Sequence, residues 1–295
     1  MQTSPRATSR FCAVALAVAT AAACGNGSRL VLTQQIEARR LASDVRVQLS
    51  KAADASNRAV MAVTDEASSA AAREAEQATH EVDRDVQALQ PILQALGYRD
   101  EIRHLDTFKT CFIGYRALDA DILPLAVENT NIKAQRLSFG AARDAGSSFR
   151  QSLEAAGRWI TTKNTCCVEA LIVKATAAVL EVQVIQARHI AESDDAAMTQ
   201  MEKEMTASEA AARTSLDALK GLLPPTAGSQ LAAAADALER FKAINDEIVT
   251  LSRRNSNVRS LTLSLGRKRT VTAECDATLQ TLEAALAKHE FTATR

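Results

Sequence analysis

The side chains of this sequence with the clearest chemical potential are asparagines and arginines that interrupt long apolar stripes. The asparagines stand where a helical repeat of alanine and leucine would otherwise continue: Asn129, Asn131, Asn255 and Asn257. The basic side chains predicted at the same level are Arg136, Arg188 and Arg254. Because guanidinium groups bind carboxylates through paired hydrogen bonds, this set could form a pocket for a small anion. It could also form a buried polar layer that fixes helix register, or a set of tight turns, with no ligand.

Motifs for catalysis or metal binding are weak throughout the sequence. Glu101 and His104 have the Glu-x-x-His spacing of helical di-iron sites, but such sites need the motif twice, together with two further carboxylates. Here the motif occurs once, beside a predicted loop. The other histidines, His80, His189 and His289, are scattered, and we expect them at the surface or at helix ends. Since glycine-rich phosphate loops and nucleophile motifs are also missing, we predict no metal, no cofactor and no enzymatic activity.

The N-terminus has the pattern of an export signal. Arg6 and Arg10 precede an apolar run over residues 11–23, which ends abruptly at Cys24. This pattern is typical of a cleaved signal peptide, and roughly 13 apolar residues are too few for a membrane span. The sequence Ala-Ala-Ala-Cys24 is similar to a bacterial lipobox, although it also suits an ordinary signal peptidase. We therefore predict a signal peptide over 1–23, a lipid-anchor linker over 24–29 and lipid attachment at Cys24, with simple secretion as the alternative.

Charge and composition exclude one large class of partners. The chain has 35 basic and 35 acidic residues, and two of the basic residues lie in the leader. A near-neutral chain with interspersed signs lacks the basic face that nucleic acid requires. Hydrophobic residues make up 47% of the chain but aromatic residues only 3%. Such an alanine-rich composition forms helices readily while burying little area per residue.

Helical periodicity runs through the chain after the leader. Residues 31–90 contain neither glycine nor proline, and their apolar or small side chains recur at helical spacing. Further stripes cover residues 105–153 and 231–286, and residues 166–220 again lack glycine and proline. Pro91, Gly97 and the glycine- and proline-rich residues 221–228 punctuate the pattern. No segment alternates as a strand would, so we predict an all-α protein with four long helices.

An internal repeat divides the chain into two halves. Residues 58–93 align without a gap on residues 188–223, and residues 129–140 match residues 255–266. Tyr115 falls on Phe241 in the same alignment, and Ile122 falls on Ile248. The chain is therefore predicted to be a duplication, with helical module 1 over residues 30–157 and module 2 over residues 158–292.

The segments around the asparagines resemble a known sensor family. These segments are Leu-Ala-Val-Glu-Asn129-Thr-Asn-Ile-Lys-Ala-Gln-Arg-Leu-Ser-Phe and Leu251-Ser-Arg-Arg-Asn-Ser-Asn-Val-Arg-Ser-Leu. They resemble the extracytoplasmic four-helix-bundle sensor domain of bacterial methyl-accepting chemoreceptors, and Arg188-His-Ile-Ala-Glu-Ser-Asp-Asp resembles its first helix junction. The resemblance covers most of the chain after the leader, in two copies. Chemoreceptors flank this domain with two membrane spans and a signalling hairpin, and this sequence shows neither.

The resemblance and the apolar stripe predict different helix lengths. The family domain turns at the positions of Thr64-Asp65 and Asn129-Thr-Asn131, which implies two tandem compact four-helix bundles. Against this, neither junction contains glycine or proline, and the stripe crosses residues 63–67 in phase. The stripe therefore favours one elongated up-down four-helix bundle, with coiled-coil-like helices of roughly 60 residues. The two tandem bundles are the alternative.

Four cysteines follow the leader, namely Cys111, Cys166, Cys167 and Cys275. An exported protein can keep disulfides, and no spacing here is of the zinc or redox type. In a long second hairpin Cys275 lies within roughly 8 to 9 Å of the Cys166–Cys167 pair along the axis. Given a modest stagger of the helices, the long bundle therefore predicts a disulfide from Cys275 to Cys167 or Cys166, whereas compact bundles disfavour it.

These patterns predict a non-enzymatic protein of the cell envelope, periplasmic or at the cell surface and held by the lipid on Cys24. Its predicted action, chemoreceptor-sensor-like, is to bind a small anionic or aromatic ligand, an envelope or receptor protein, or both. The alternative is a structural or scaffolding lipoprotein without a ligand. No nucleic acid is expected, and the membrane is contacted only through the lipid anchor.

Overall fold

The computed structural model describes the backbone of residues 12–160 and 165–289, and side chains from Arg29 onward within these ranges. The predicted lipid-attachment side chain, Cys24, and residues 1–11 of the predicted leader lie outside this description. Every long element of the described ranges is a helix and none is a strand, which confirms the predicted all-α helical bundle. None of the described helices combines the length and the apolar character that crossing a membrane requires.

The described chain forms ten α-helices, which are α1 (Cys12–Met61), α2 (Asp65–Leu96), α3 (Arg99–Glu128), α4 (Thr130–Leu137), α5 (Arg143–Gly157), α6 (Thr165–Ala191), α7 (Asp195–Leu222), α8 (Gly228–Arg254), α9 (Ser256–Leu263) and α10 (Arg269–Ala287). A π-helical turn over Ser138–Ala142 joins α4 to α5, and another over Ser264–Lys268 joins α9 to α10. A short 3₁₀ turn, Pro225–Ala227, precedes α8.

Side-chain caps end the helices earlier than the unbroken apolar stripe suggests. The Thr64 hydroxyl accepts a hydrogen bond from the Ala67 amide at 3.1 Å and starts α2. The Asp194 carboxylate accepts from the Ala197 amide at 2.7 Å and starts α7. Such caps satisfy the free amides of a first turn, so a helix can restart without glycine or proline. The predicted length of roughly 60 residues is therefore wrong for α2, which has 32 residues, and for α7, which has 28.

The described helices divide between two compact units. Unit 1 comprises Met1–Asn57, Ala71–Ala120 and Gly266–Arg295. Its described core is a bundle in which α1, α2, α3 and α10 contribute the apolar side chains. These include Val45, Leu49, Val82, Leu89, Phe108, Phe112, Tyr115, Leu279 and Leu282.

Unit 2 comprises Arg58–Ala70 and Asp121–Leu265. Its bundle consists of α6, α7 and α8 with the α4–α5 segment as the fourth helix. The helix α6 packs chiefly on α7, and α5 packs chiefly on α8. The core side chains include Phe149, Leu153, Val179, Val182, Met201, Met205, Leu216, Leu238 and Phe241.

The two units and the two sequence repeats divide the chain differently. The first repeat supplies most of α1, α2 and α3 to unit 1 but its fourth helix, α4–α5, to unit 2. The second repeat supplies α6–α8 to unit 2 but α10 to unit 1. Each bundle therefore takes three helices from one repeat and the fourth from the other, an arrangement that we call the helix exchange.

The disulfide of unit 1 connects the two repeats. Cys111 on α3 is bonded to Cys275 on α10, with the two Cα atoms 5.6 Å apart. The predicted Cys167–Cys275 bond is therefore wrong. The physical reason is the helix exchange, because α10 packs in unit 1 with α3. Cys166 and Cys167 lie in the first turn of α6 in unit 2, where both are exposed and free.

Candidate functional site: the asparagine layer

Asn129 and Asn255 each form a one-residue joint between two helices of the chain. Both have left-handed backbone conformations, with φ 51° and ψ 37° at Asn129 and φ 53° and ψ 36° at Asn255. Asparagine tolerates this region better than most residues other than glycine. Asn129 ends α3 and starts α4, and Asn255 ends α8 and starts α9. Both side chains are buried.

Asn131 and Asn257 bind each other through backbone and side chain. The amide N–H of Asn131 donates to Asn257 Oδ1 at 3.1 Å, and the amide N–H of Asn257 donates to Asn131 Oδ1 at 3.2 Å. The Asn131 side chain also donates to Asn255 Oδ1 at 2.8 Å, and the Asn257 side chain donates to Asn129 Oδ1 at 2.9 Å. The predicted asparagines therefore come together in unit 2 in a reciprocal pattern.

Thr130 and Ser256 repeat this reciprocity between the asparagines. The Thr130 amide donates to Ser256 Oγ at 3.1 Å, and the Ser256 amide donates to Thr130 Oγ1 at 3.0 Å. Both residues are buried. We call these six residues, 129–131 and 255–257, the asparagine layer.

The outer groups of the asparagine layer bind neighbouring backbone and acidic groups. Asn129 Nδ2 donates to Asp65 Oδ1 at 3.2 Å, and Asn255 Nδ2 donates to the Glu192 carbonyl at 2.8 Å. Asn131 Nδ2 donates to the Ile190 carbonyl at 2.7 Å. The layer thus ties the start of α2 and the end of α6 to the two left-handed joints.

The predicted arginines do not converge on the asparagine layer. Arg136 donates to the Val63 carbonyl at 2.6 Å, and Arg254 forms a two-pronged ion pair with Glu128, which holds the pKa of that carboxyl low. Arg188 is exposed and has no hydrogen-bond or ion-pair partner among the described residues. The structure brings the four asparagines together and leaves the three arginines in separate environments.

A buried histidine was missed by the sequence interpretation. The expectation of a surface or capping position is wrong for His189, which is fully buried on α6. Its Nδ1 lies 2.5 Å from Ser252 Oγ, and its Nε2 lies 3.0 Å from Glu202 Oε1, which also accepts from Arg253 at 2.6 Å. Burial lowers the His189 pKa against the opposing effect of Glu202. The one sequence signal for its burial is its helical spacing from Val182 and Ile185, which places it on the same buried face of α6.

A second polar layer crosses the core of unit 2, and we call it the amide layer. Ser138 Oγ donates to Gln186 Oε1, Gln186 Nε2 donates to Asn245 Oδ1, and Asn245 Nδ2 donates to Glu209, each at 2.8 Å. Burial raises the pKa of the Glu209 carboxyl. Ser138 belongs to the π-helical turn between α4 and α5.

Unit 1 contains a charged layer made of Ser56, Asp119 and Lys268. Lys268 is 2% exposed and Asp119 is 5% exposed, and the two form a buried ion pair. Ser56 Oγ donates to Asp119 Oδ1 at 2.8 Å. The Lys268 ammonium also lies 4.8 Å from the centroid of the Tyr115 ring. Burial lowers the Lys268 pKa, although Asp119 acts in the opposite direction.

The Glu-x-x-His spacing of Glu101 and His104, from which no metal site is predicted, places Glu101 in a different contact. Glu101 accepts a hydrogen bond from His289 Nε2 at 2.8 Å, and the His289 ring stacks on Tyr98 with centroids 3.7 Å apart. Within the described ranges, no group of three or more histidine, cysteine or acidic side chains is arranged to hold a metal ion.

A comparison with models of known protein families finds no match, and a comparison with curated proteins finds no similar chain. The resemblance to chemoreceptor sensor domains therefore stays a prediction from the residues.

Proposed function

We propose that this protein is an exported, non-enzymatic scaffold of the cell envelope, in which the asparagine layer sets the register of the helices and binds no ligand. One observation carries the proposal. Each of the four asparagine side chains both donates and accepts a hydrogen bond within the protein. A ligand pocket needs polar groups left available for the ligand, and this layer uses its groups internally.

The disulfide supports the proposed export. Disulfides such as Cys111–Cys275 persist in oxidising compartments and are rare in the cytosol. This agrees with the signal-peptide pattern before Cys24. A lipid on Cys24 would hold the scaffold at the membrane surface, as the Ala-Ala-Ala-Cys24 pattern predicts.

A second candidate function is the sensing of a small carboxylate. It is favoured by the resemblance to chemoreceptor sensor domains and by Arg188, whose exposed guanidinium has no partner within the described ranges. A guanidinium in this state can bind a carboxylate without breaking an existing ion pair.

A thermal-shift screen of small carboxylates and aromatic compounds separates the two candidates. A ligand that binds only the native state must raise the melting temperature, so the scaffold proposal predicts no shift with any compound. An increase that disappears in Arg188→Ala and persists in the matched variant Arg213→Ala would contradict the scaffold proposal and support the sensor.

The proposed location has its own test. Intact mass of the membrane-extracted protein is expected to show a diacylglyceryl group on an N-terminal Cys24. The Cys24→Ala variant is expected in the soluble fraction. A soluble wild-type protein without added mass would contradict the lipid anchor. It would not bear on the scaffold role, which the thermal-shift screen tests.

A further inference from the structure

One face of α6 is apolar and exposed along the whole helix. Its large side chains, Val173, Leu180 and Val184, are 67%, 53% and 64% exposed. The other exposed positions of this face are Cys166, Ala170, Ala177, Ala187 and Ala191. Their spacing alternates between four and three residues, which is the a/d spacing of a coiled coil. We call these eight residues the α6 face.

The first repeat shows that the fold does not require this apolar face. Extending the alignment of Arg58 with Arg188 backwards brings the α6 face onto exposed residues of α1. Five of those eight residues are polar, namely Arg40, Ser43, Ser50, Asp54 and Asn57, and the other three are Ile36, Val47 and Met61. The bundle core of α6 is a separate stripe that includes Val179 and Val182. Helix α6 is thus apolar on two sides, and the described part of unit 2 covers only one of them.

The charges beside the α6 face on one copy of the chain are complementary to those on a second, antiparallel copy. Lys174 and Glu181 are both exposed on the same edge of the face, two helical turns apart. A two-fold axis between them, with two copies of α6 antiparallel, brings Lys174 of each copy opposite Glu181 of the other. The same axis brings Leu180 opposite Ala177 and Val173 opposite Val184. The central layers thus pair a large side chain with a small one, and the next layers pair two valines.

Other occupants fit the α6 face less well. Parallel copies would stack Leu180 on Leu180 and Ala177 on Ala177, so the spacing set by the leucines would leave gaps at the alanines. An anionic membrane surface prefers a helix with a basic polar face. The exposed charges beside this face have both signs, as Glu169, Lys174, Glu181 and Arg188 show.

We propose that the α6 face is the contact surface of a homodimer in which two copies of α6 pair antiparallel. A helix of 27 residues is about 40 Å long, so a contact about 10 Å wide buries on the order of 400 Å² per copy. Stable interfaces bury about 800 Å² per partner, so we expect a weak dimer that forms only as the concentration rises. The inference goes beyond the scaffold function and does not depend on it, because the α6 face shares no residue with the asparagine layer.

A groove beside the α6 face leaves room for side chains of the second copy. It lies between α5 and α6, has a volume of ≈ 250 Å³, and is lined by Leu180, Thr176 and Gln183 among other residues. The hydroxyl of Thr176 is buried and has no hydrogen-bond partner among the described residues. The groove thus adjoins the large central side chain of the proposed contact.

Sedimentation equilibrium over roughly 1 to 200 µM tests this proposal, with the Cys24→Ala protein, which carries no lipid, as the wild-type reference and parent of every variant. The wild type is expected to dimerise as concentration rises, and Val173→Glu is expected to raise the Kd at least about tenfold by burying a charge at the contact. The matched control is Val47→Glu, which places the same charge on an exposed position of α1 and leaves the Kd unchanged. Circular dichroism checks that each variant is folded. A monomer at every concentration would overturn the proposal, as would equal effects of the two variants.

Charge reversal tests the antiparallel orientation. Lys174→Glu alone is expected to weaken the dimer, and Lys174→Glu combined with Glu181→Lys is expected to restore it, because the opposite charges face each other again. Failure of the double variant to recover would overturn the antiparallel arrangement. Sedimentation with phosphatidylglycerol vesicles tests the lipid surface as occupant. A Cys24→Ala protein, which has no lipid of its own, that is monomeric and pellets with these vesicles would overturn the proposal.

Discussion

The charged layer of unit 1 and the amide layer of unit 2 occupy corresponding positions of the repeat but differ in their chemistry. In the repeat alignment Asp119 corresponds to Asn245, and Ser56 corresponds to Gln186. Asp119 binds Ser56 and Lys268, whereas Asn245 binds Gln186 and Glu209. Both units thus have a buried polar layer at corresponding positions of the repeat. In unit 1 its members are joined by an ion pair, and in unit 2 by hydrogen bonds of amide groups.

The difference shows how the fourth helix of each bundle is selected. Lys268 corresponds to Ala142 of the first repeat, so a unit 1 completed by its own repeat would bury Asp119 without a cation. An unpaired buried charge is far more costly than an unpaired amide. The disulfide follows the same logic, because Cys275 corresponds to Phe149 and Cys111 corresponds to Ala237. The charged layer and the disulfide both favour the helix exchange, and we infer that specificity of this kind is their role.

The largest expected effect separates the charged layer from the amide layer by single substitutions. Asp119→Ala leaves Lys268 buried without its carboxylate, and we expect a loss of about 3–5 kcal/mol in the free energy of unfolding. Asn245→Ala removes the corresponding neutral group and is expected to cost about 1–3 kcal/mol. Urea unfolding followed by circular dichroism measures both values. Equal losses would show that the charge contributes nothing beyond an ordinary buried hydrogen bond.

A smaller effect is expected when the charged layer is replaced as a whole. Asp119→Leu combined with Lys268→Met removes both charges while keeping the volume similar. Such replacements of buried ion pairs are often neutral or stabilising by about 1–4 kcal/mol. We therefore expect the double variant to unfold at the same urea concentration as the wild type or at a higher one. If the double variant lost as much free energy of unfolding as Asp119→Ala alone, the ion pair would be needed for stability. That result would contradict our inference that its role is specificity.

The smallest expected effect is a dependence on acid pH in unit 2. The pKa of His189 is lowered by burial, with Arg253 acting in the same direction and Glu202 in the opposite one. Below about pH 6.5 the unfolded chain binds a proton that folded His189 resists, so this group lowers stability as pH falls towards its folded pKa. His189→Gln is expected to flatten the pH dependence of the free energy of unfolding between about pH 7 and 5. Parallel curves for variant and wild type would contradict this assignment.

Much of the fold follows from the sequence, because apolar periodicity and the repeat are local signals. The stripe around Val45 and Leu49 predicts a helix with a buried face, and the match of Tyr115 with Phe241 predicts equivalent core positions. The starts of α2 and α7 are harder to predict from the sequence. Thr64 and Asp194 each start a helix with one side-chain hydrogen bond and leave the phase of the apolar stripe intact.

The helix exchange could not be predicted, because an alignment of two repeats does not say which fourth helix completes which bundle. The sequence contains both partners of each contact, namely Asp119 with Lys268 and Cys111 with Cys275. These partners can be matched only after α10 is known to pack with α3. The four asparagines were identified because polar residues in a seam stand out. Their mutual hydrogen bonds needed the left-handed backbone of Asn129 and Asn255, which the sequence pattern does not specify.

Peptide mapping without reduction tests the helix exchange most directly. The protein is made in an oxidising compartment, its free thiols are alkylated, and the digested peptides are identified by mass spectrometry. We expect one peptide pair joined through Cys111 and Cys275, within a chain that migrates as a monomer on a non-reducing gel, and we expect alkylated Cys166 and Cys167. A bond from Cys275 to Cys166 or Cys167, or alkylation of Cys111 and Cys275 in the unreduced protein, would contradict the exchanged arrangement.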